Sequence, residues 1–424
     1  MRLAITFQRV DPSKGGAETY VADLCRALVA SEHDVTLFAN VWRDDALPQG
    51  LHRVKVEAKG RTRWGRIWSF AKNSEEILRA HHPDCTIGLI NTWHQDILIP
   101  QGGVHGASLE ANAKRFSPGW KRWLYIASKK IQPKWWLLYR AIEGKQYDPS
   151  RHVRIVAVSR MVRGHLQRFH RVDPSSVRVI PNAIHAGRLA IADPASARGS
   201  VRARHGLSEN DVVGLFVGHN FRLKGLPALL RAMASRRKQH PESRPIHLLA
   251  CGGGKTAPMQ RLVDRLGLSQ VVTIVGFADD IRAYYHAADF CVLPSYYDPC
   301  SLVVFEALAC GLPVITTAQN GAGEVITEGR EGFVVSSPDD LAAMTHALDA
   351  MTNDARRGVM SSQAVDLGRA QSFDRHVQSL LDLCREVAER KRNTRIDQKH
   401  TTRPDRTDPA FTGDTDASHR SGGR

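Results

Sequence analysis

Residues 294–326 read PSYYDPCSLVVFEALACGLPVITTAQNGAGEVI, and the fold follows from this stretch. Asp298 and Glu306 stand eight residues apart. Between them Ser301, Leu302 and Val303 open a helix, and Val304 and Leu308 give it an apolar face. Gly311 ends the helix and Pro313 follows at the usual distance for a stop. Residues 314–317 (VITT) then read as a short buried strand. A loop that opens a helix presents free backbone N–H groups and the positive end of the helix dipole, which suits an anion. A carboxylate one turn further in suits the hydroxyls of a ribose. The unit as a whole suits a nucleotide diphosphate.

Working outward, the same βα rhythm recurs on both sides. Residues 3–10 read as a first strand, and the loop after it carries Lys14, Gly15, Gly16, Ala17 and Glu18. A helix follows to about residue 30, with Ala17, Tyr20, Val21, Leu24 and Leu28 on one face, and then a strand over 34–40. Strand, glycine loop, helix and strand form the first unit of a doubly wound sheet. Further strands are expected over 53–56, 84–91, 153–159 and 177–180. Residues 186–198 are poor in large apolar side chains and read as a linker. The rhythm restarts with strands over 212–218, 246–250, 272–275 and 290–293, the last leading into the opening stretch. The pattern predicts an α/β protein of two units, 1–185 and 199–370. An amphipathic helix over 371–389 and a disordered tail over 390–424 are expected to follow.

Bulk properties narrow the partners. The chain has 424 residues, of which 42% are apolar, enough for two domains with their own cores. It contains no apolar run of about 18 residues, the length of a spanning helix. Its first ten residues are too short and polar for a signal peptide. The seven cysteines form no CxxC pair and sit mostly in apolar runs, as buried reduced thiols do. A net charge of +16 points to acidic partners: nucleic acid, an anionic membrane or phosphorylated substrates.

Other constellations have weaker signals. Gly15 and Gly16 let a backbone approach a phosphate or sugar, although a tight turn with no ligand uses the same residues. Residues 252–256 (GGGKT) resemble a phosphate loop, but Leu249 stands where that pattern needs glycine, so they read as a turn. Arg222 and Lys224 follow a strand and would face the crevice of the opening stretch, where cations can neutralise a diphosphate leaving group. His105, in a glycine-rich loop, has the chemistry to bond a sugar hydroxyl or move a proton; a lone histidine is more often structural. Residues 114–140 carry eight Lys/Arg, no Asp or Glu, and four of the eight tryptophans. There Trp120, Trp123, Trp135 and Trp136 interleave with Lys129, Lys130 and Lys134, as in helices that lie on an anionic bilayer. A packed helix pair with a solvated basic face reads the same way. Nucleic-acid stacking uses similar residues, but the chain shows no nucleic-acid motif.

With these residues in hand, the chain resembles a retaining glycosyltransferase of family 4, with two Rossmann-like domains facing across a cleft (the GT-B architecture). The resemblance covers about residues 1–388. Its motifs are KGGAE at 14–18, VSRMV at 158–162, VIPNAI at 179–184, FRLKG at 221–225, VGFADDI at 275–281, AADFCVLPS at 287–295 and DPCSLVVFEALACGLPVI at 298–315. Within the family it is most similar to glucosyltransferases of the lipopolysaccharide core. The resemblance implies that Glu306 binds the donor ribose, that the Ser301–Leu302–Val303 helix start binds the diphosphate with Arg222 and Lys224, and that Phe277 contacts the base. Asp298 would face the donor sugar, Gly15 and Gly16 would lie under the reacting centre, and His105 would lie near the sugar hydroxyls. Four departures stand out: Asp298 for the first glutamate of the family's E-x7-E motif, His219 for a frequent arginine, Ala183 for a glycine, and Gly103 for a frequent acid.

The implied activity is transfer of a hexose, expected to be glucose from UDP-glucose, to a glycolipid of the lipopolysaccharide core or another envelope glycan. No metal or other cofactor and no nucleic acid are expected. The expected location is the inner face of the cytoplasmic membrane, bound peripherally through residues 114–140. Two other readings remain: a non-catalytic nucleotide-sugar or lipid-binding relative, and a hexosamine 2-epimerase of the same fold.

Overall fold

The structure, a computed structural model, describes residues 1–114, 116 and 119–401. Two parallel sheets carry it. The first has seven strands in the order His52–Lys55, Asp34–Ala39, Arg2–Thr6, Cys85–Gly88, Ile97–Leu98, Arg154–Ala157, Val177–Val179. The second has six, in the order Val272–Gly276, Ile246–Cys251, Val212–Val217, Phe290–Leu293, Val314–Thr317, Gly332–Val335. Every pairing is parallel, so each sheet needs helices on both faces, and its strands read as apolar runs. Val212–Val217 is buried at five of its six positions.

Each sheet runs outward one way for three strands and then the other way. The reversal falls between Arg2–Thr6 and Cys85–Gly88 in the first sheet, and between Val212–Val217 and Phe290–Leu293 in the second. Ligands of doubly wound sheets bind in the crevice beyond the strand ends at such a reversal. The glycine loop lies beyond the first reversal, and the opening stretch beyond the second. The helix Gly16–Ala30 buries Tyr20, Val21, Leu24 and Leu28, as its 3.6-residue spacing predicts.

Three boundaries differ from the sequence-based expectation. The 186–198 linker is largely structured, with a short turn at Ala186–Leu189 and a helix at Pro194–Arg204. That helix is held by Arg202, only 1% exposed, which donates to Ala287 O and Ser208 O and pairs with Asp289 at 2.9 Å. A buried guanidinium stands where an apolar anchor was sought. The last helix runs as Phe373–Thr401, so residues 390–401 are helical and not the start of a disordered tail. Lys391 explains part of the extension, since its Nζ reaches Asp96 Oδ2 at 3.0 Å. Residues 402–424 lie outside the described residues. The first strand stops at Thr6, and Arg9–Val10 pairs separately with Val41–Trp42.

That last helix crosses back to the first domain. His376 Nδ1 donates to Pro181 O at 2.8 Å, and its Nε2 accepts from the Tyr20 hydroxyl at 2.8 Å. The domains also meet along one edge of the cleft. Glu324 of the second domain accepts from the N–H groups of Arg160 and Met161, capping the helix Arg160–His170 of the first. Ser159 Oγ donates to Pro299 O at 2.8 Å, and Asn182 Nδ2 to Cys300 O at 2.9 Å.

Candidate active site

Between the two strand-end crevices lies a cleft of about 510 Å³. One wall is the glycine loop with Gly15, Gly16 and Thr19; the other is the helix Leu302–Ala309. The approach is close, since a Cβ on Gly16 would lie 3.4 Å from Leu302 Cδ1. The helix start is open. Ser301 sits at the cap position, but its side chain makes no capping bond. Ser301 N itself donates to Asn320 Oδ1 at 3.3 Å, which leaves the Leu302 and Val303 amides at the cleft. Uncapped first-turn amides form an anion site with the positive end of the dipole.

The charged groups around this helix start are paired with one another. Lys224 Nζ forms an ion pair with Asp298 Oδ2, and both residues line the cleft. Glu306, 8% exposed, accepts from the buried Tyr285 hydroxyl at 2.7 Å and lies 3.5 Å from Arg188 Nη2. Burial pushes the Tyr285 phenol well above its usual range, with the Glu306 charge adding to the effect, so it stays a donor to Glu306. Gly225 holds Lys224 in place. Its φ of +84° and the carbonyl of Pro294 against its Cα admit no side chain, so the 218–225 loop packs on the opening stretch.

Of the residues named from sequence, the structure brings Gly15, Gly16, Phe277, Asp298, Ser301, Leu302, Val303, Glu306 and Lys224 to the one cleft. It does not bring two others there. Arg222 is exposed and outside the cleft lining, because the turn into Gly225 directs Lys224 inward instead. His105 also lies outside the lining. It begins the helix His105–Lys114, and Glu143 Oε1 holds its Nδ1 at 2.6 Å and its N–H at 2.9 Å. Glu143 Oε2 meets His170 Nε2 at 2.9 Å. Burial pushes the Glu143 carboxyl up, but the bonds from His105 and His170 outweigh it and hold the carboxyl below its usual value.

The loop before His105 is tied to the donor side. The Tyr297 hydroxyl accepts from Val104 N at 3.0 Å and occupies the space a side chain on Gly103 would need. That contact, with φ +68° at Gly103, leaves room only for glycine there. Sequence patterns missed Arg188, Tyr285, Tyr297 and Glu143, since each acts through partners distant in the chain. Asn182 carried a signal only as part of the 179–184 motif.

The 114–140 segment stands apart from the cleft; positions 115, 117 and 118 lie outside the described residues. Its helix Trp120–Lys130 has no buried residue. Trp120 and Trp123 are 70% exposed and Trp136 61%. Trp135 stacks on Tyr139 at 4.5 Å, and Lys130 and Lys134 lie over the rings of Trp135 and Trp64. Among the described residues no helix is long and apolar enough to cross a membrane.

The structure thus has two parallel doubly wound domains with an open helix start at the cleft between them, and known proteins give the class. Residues 14–188 match the family described as Glycosyltransferase Family 4, and residues 198–366 that described as Glycosyl transferases group 1. A D-inositol 3-phosphate glycosyltransferase of Streptomyces scabiei is 33% identical, over 77% of this chain and 76% of its own. The lipopolysaccharide glucosyltransferase WaaG of Escherichia coli is 24% identical, over 76% and 82%. Among solved structures, a crystal structure of WaaG superposes with a TM-score of 0.74 at 21% identity, covering 90% of this chain and 99% of that one. Anabaena HepE in complex with UDP and glucose superposes with a TM-score of 0.63 at 16% identity, covering 91% and 100%. The chain belongs to the family 4 glycosyltransferases and has their GT-B fold.

Proposed function

We propose that this glycosyltransferase is a retaining hexosyltransferase that moves glucose from UDP-glucose to an envelope glycolipid. The lipopolysaccharide core is the first acceptor class to test. The observation that carries the reading is the open helix start at Leu302 and Val303, flanked in one cleft by Lys224 and Glu306. The names of WaaG and of the UDP complex of HepE support donor and acceptor class. In this reading the ribose hydroxyls engage Glu306, and the diphosphate draws Lys224 from Asp298 onto its oxygens. The bond from the anomeric carbon to phosphate oxygen breaks as the acceptor oxygen forms its bond on the same face. The acceptor proton passes to the leaving phosphate. Lys224 and the helix amides stabilise the negative charge on that phosphate, so neither a metal nor a protein base is required. His105, held by Glu143, borders the acceptor side, and the Trp120–Lys130 helix docks on the inner face of the cytoplasmic membrane.

The test is a panel of UDP-, GDP- and ADP-sugars with EDTA present, product linkage being read by mass spectrometry and NMR. The expected product is an α-glucosylated lipid with UDP released. Binding without any turnover would point to the non-catalytic relative, and a free hexosamine isomer to the epimerase. A phosphorylated polyol is the second acceptor class, because the inositol 3-phosphate enzyme is the more identical relative at 33% against 24%. Glucosylation of inositol 3-phosphate in place of lipid would replace the envelope reading.

A further inference from the structure

Arg188 belongs to none of the motifs above, yet it lines the cleft beside Ser301 and Glu306. It is carried by the short turn Ala186–Leu189 in the connection between the domains. Its guanidinium separates the cleft from a second cavity behind it, which Asp23, Arg26 and Asp374 also line. Nη2 lies 3.5 Å from Glu306 Oε1, and Nη1 lies 3.9 Å from Asp23 Oδ2. Nη1 is buried and has no hydrogen-bond partner.

Both carboxylates lie within ion-pair range of this arginine, but neither makes a short bond to it. Asp23 is already served by Arg26, whose Nη1 sits 2.5 Å from Asp23 Oδ1. Burial pushes the Asp23 carboxyl up, and the charges of Arg188 and Arg26 act against that push. Glu306 receives its short bond on Oε2 from Tyr285, and 3.5 Å to Oε1 is long for a charge-assisted bond, which closes to about 2.7–2.9 Å. The cleft wall therefore holds an under-used acceptor, Glu306 Oε1, next to an under-used donor, Arg188 Nη2, 3.5 Å away. An acceptor and a donor side by side match a vicinal diol. One hydroxyl donates to the carboxylate, and its neighbour accepts from the guanidinium.

We infer that Arg188 is a donor-binding residue that, together with Glu306, reads the ribose cis-diol of the nucleoside diphosphate. The inference rests on the proposed donor site. It adds a contact contributed by the connection between the domains.

The experiment is calorimetric binding of UDP, 2′-deoxy-UDP and 3′-deoxy-UDP to the full chain and to Arg188→Ala, Arg188→Lys and Glu306→Ala, with thermal melts as a folding control. The wild type is expected to bind UDP about tenfold more tightly than either deoxy analogue, the size of one charge-assisted bond to a hydroxyl. Arg188→Ala is expected to weaken UDP about tenfold. It should also erase the penalty for the analogue whose missing hydroxyl faces the guanidinium, leaving the other penalty in place. If Arg188→Ala fails to fold, Arg188→Lys carries the test: it keeps the charge, loses the fork and should reduce that same penalty. Arginine variants that keep UDP affinity within about twofold and both penalties in full overturn the inference, while loss of binding in Glu306→Ala leaves the donor site standing. A wild type that binds no UDP, GDP or ADP overturns the donor site and this inference together.

Discussion

At the residue scale, the cleft holds its charges in internal pairs, and the proposed reaction exchanges those pairs for contacts to the donor. Lys224 is half-buried against Asp298, so its ammonium is already partly desolvated before a diphosphate arrives. A preorganised cation of this kind acts most strongly on charge that develops as the phosphate leaves. Lys224→Ala should therefore lower kcat by about 10²–10³ while changing the donor KM far less; steady-state transfer assays separate the two. Gly103 tests the other side of the site. An aspartate there would meet the Tyr297 hydroxyl and would need a left-handed backbone. Gly103→Asp should cost about 2–4 kcal/mol, combining overpacking with backbone strain. Urea denaturation reads this loss. Shortening Tyr297 to Ala in the same chain should return at least about 1 kcal/mol of it, because the two residues share one space.

At the element scale, the last helix shows how local chemistry sets a global property. His376 sits on it, buried between Tyr20 and Pro181 of the first domain. Burial depresses its pKa to about 4, only partly offset by the bond to Pro181 O. The unfolded chain binds a proton at this imidazole near pH 6.5, and the folded chain only near 4. Between these values the unfolded state holds more protons, so stability rises with pH. The contribution, up to about 3 kcal/mol, is complete above pH 6.5 and lost as pH falls toward 4. Denaturation curves for the wild type should show this slope, and His376→Gln should flatten it in that window alone. The same helix marks what the sequence could and could not convey. Its start at Ser372 and its apolar stripe were legible, because caps and periodicity are local. Its end was not, because the last turns are held by Lys391 reaching Asp96, 295 residues away. The helix Leu302–Ala309 was legible throughout, since Ser301, Gly311 and Pro313 punctuate it within the chain. Pro194–Arg204 was hidden, since its anchor is the buried Arg202 where pattern reading expects an apolar side chain. The two-residue strand Ile97–Leu98 is too short to leave a periodic signal, and only its place between longer strands forms it. The cleft divides along the same line: Glu306, Asp298 and Lys224 stand in compact motifs, whereas Arg188, Tyr285 and Tyr297 gain meaning only from folded neighbours.

At the scale of the whole molecule, the question is how a protein with no spanning helix among its described residues would meet the proposed lipid acceptor. The net charge of +16 draws it toward any anionic surface, but a diffuse field does not orient an active site. Orientation needs a local patch, and the helix Trp120–Lys130 supplies one that the protein's own core leaves uncovered. Exposed Trp120, Trp123 and Leu124 are suited to the interfacial layer, and the flanking lysines to lipid headgroups. Each lysine near an anionic leaflet contributes about 1 kcal/mol, so Lys129, Lys130 and Lys134 together contribute about 3 kcal/mol at most. Lys129 and Lys134 also lie over Tyr125 and Trp64, which keeps part of their charge on the protein and lowers that ceiling. Replacing the three lysines by Ser should cut partitioning onto anionic vesicles by about 10- to 100-fold. It should leave the weaker binding to neutral vesicles, which rests on the aromatic rings, nearly unchanged. Trp120→Ala with Trp123→Ala should instead weaken both. Co-sedimentation across a salt series separates the two terms, because salt screens only the lysine contribution. If the lysine variant co-sediments with anionic vesicles as the wild type does, the patch is not what brings this enzyme to a membrane.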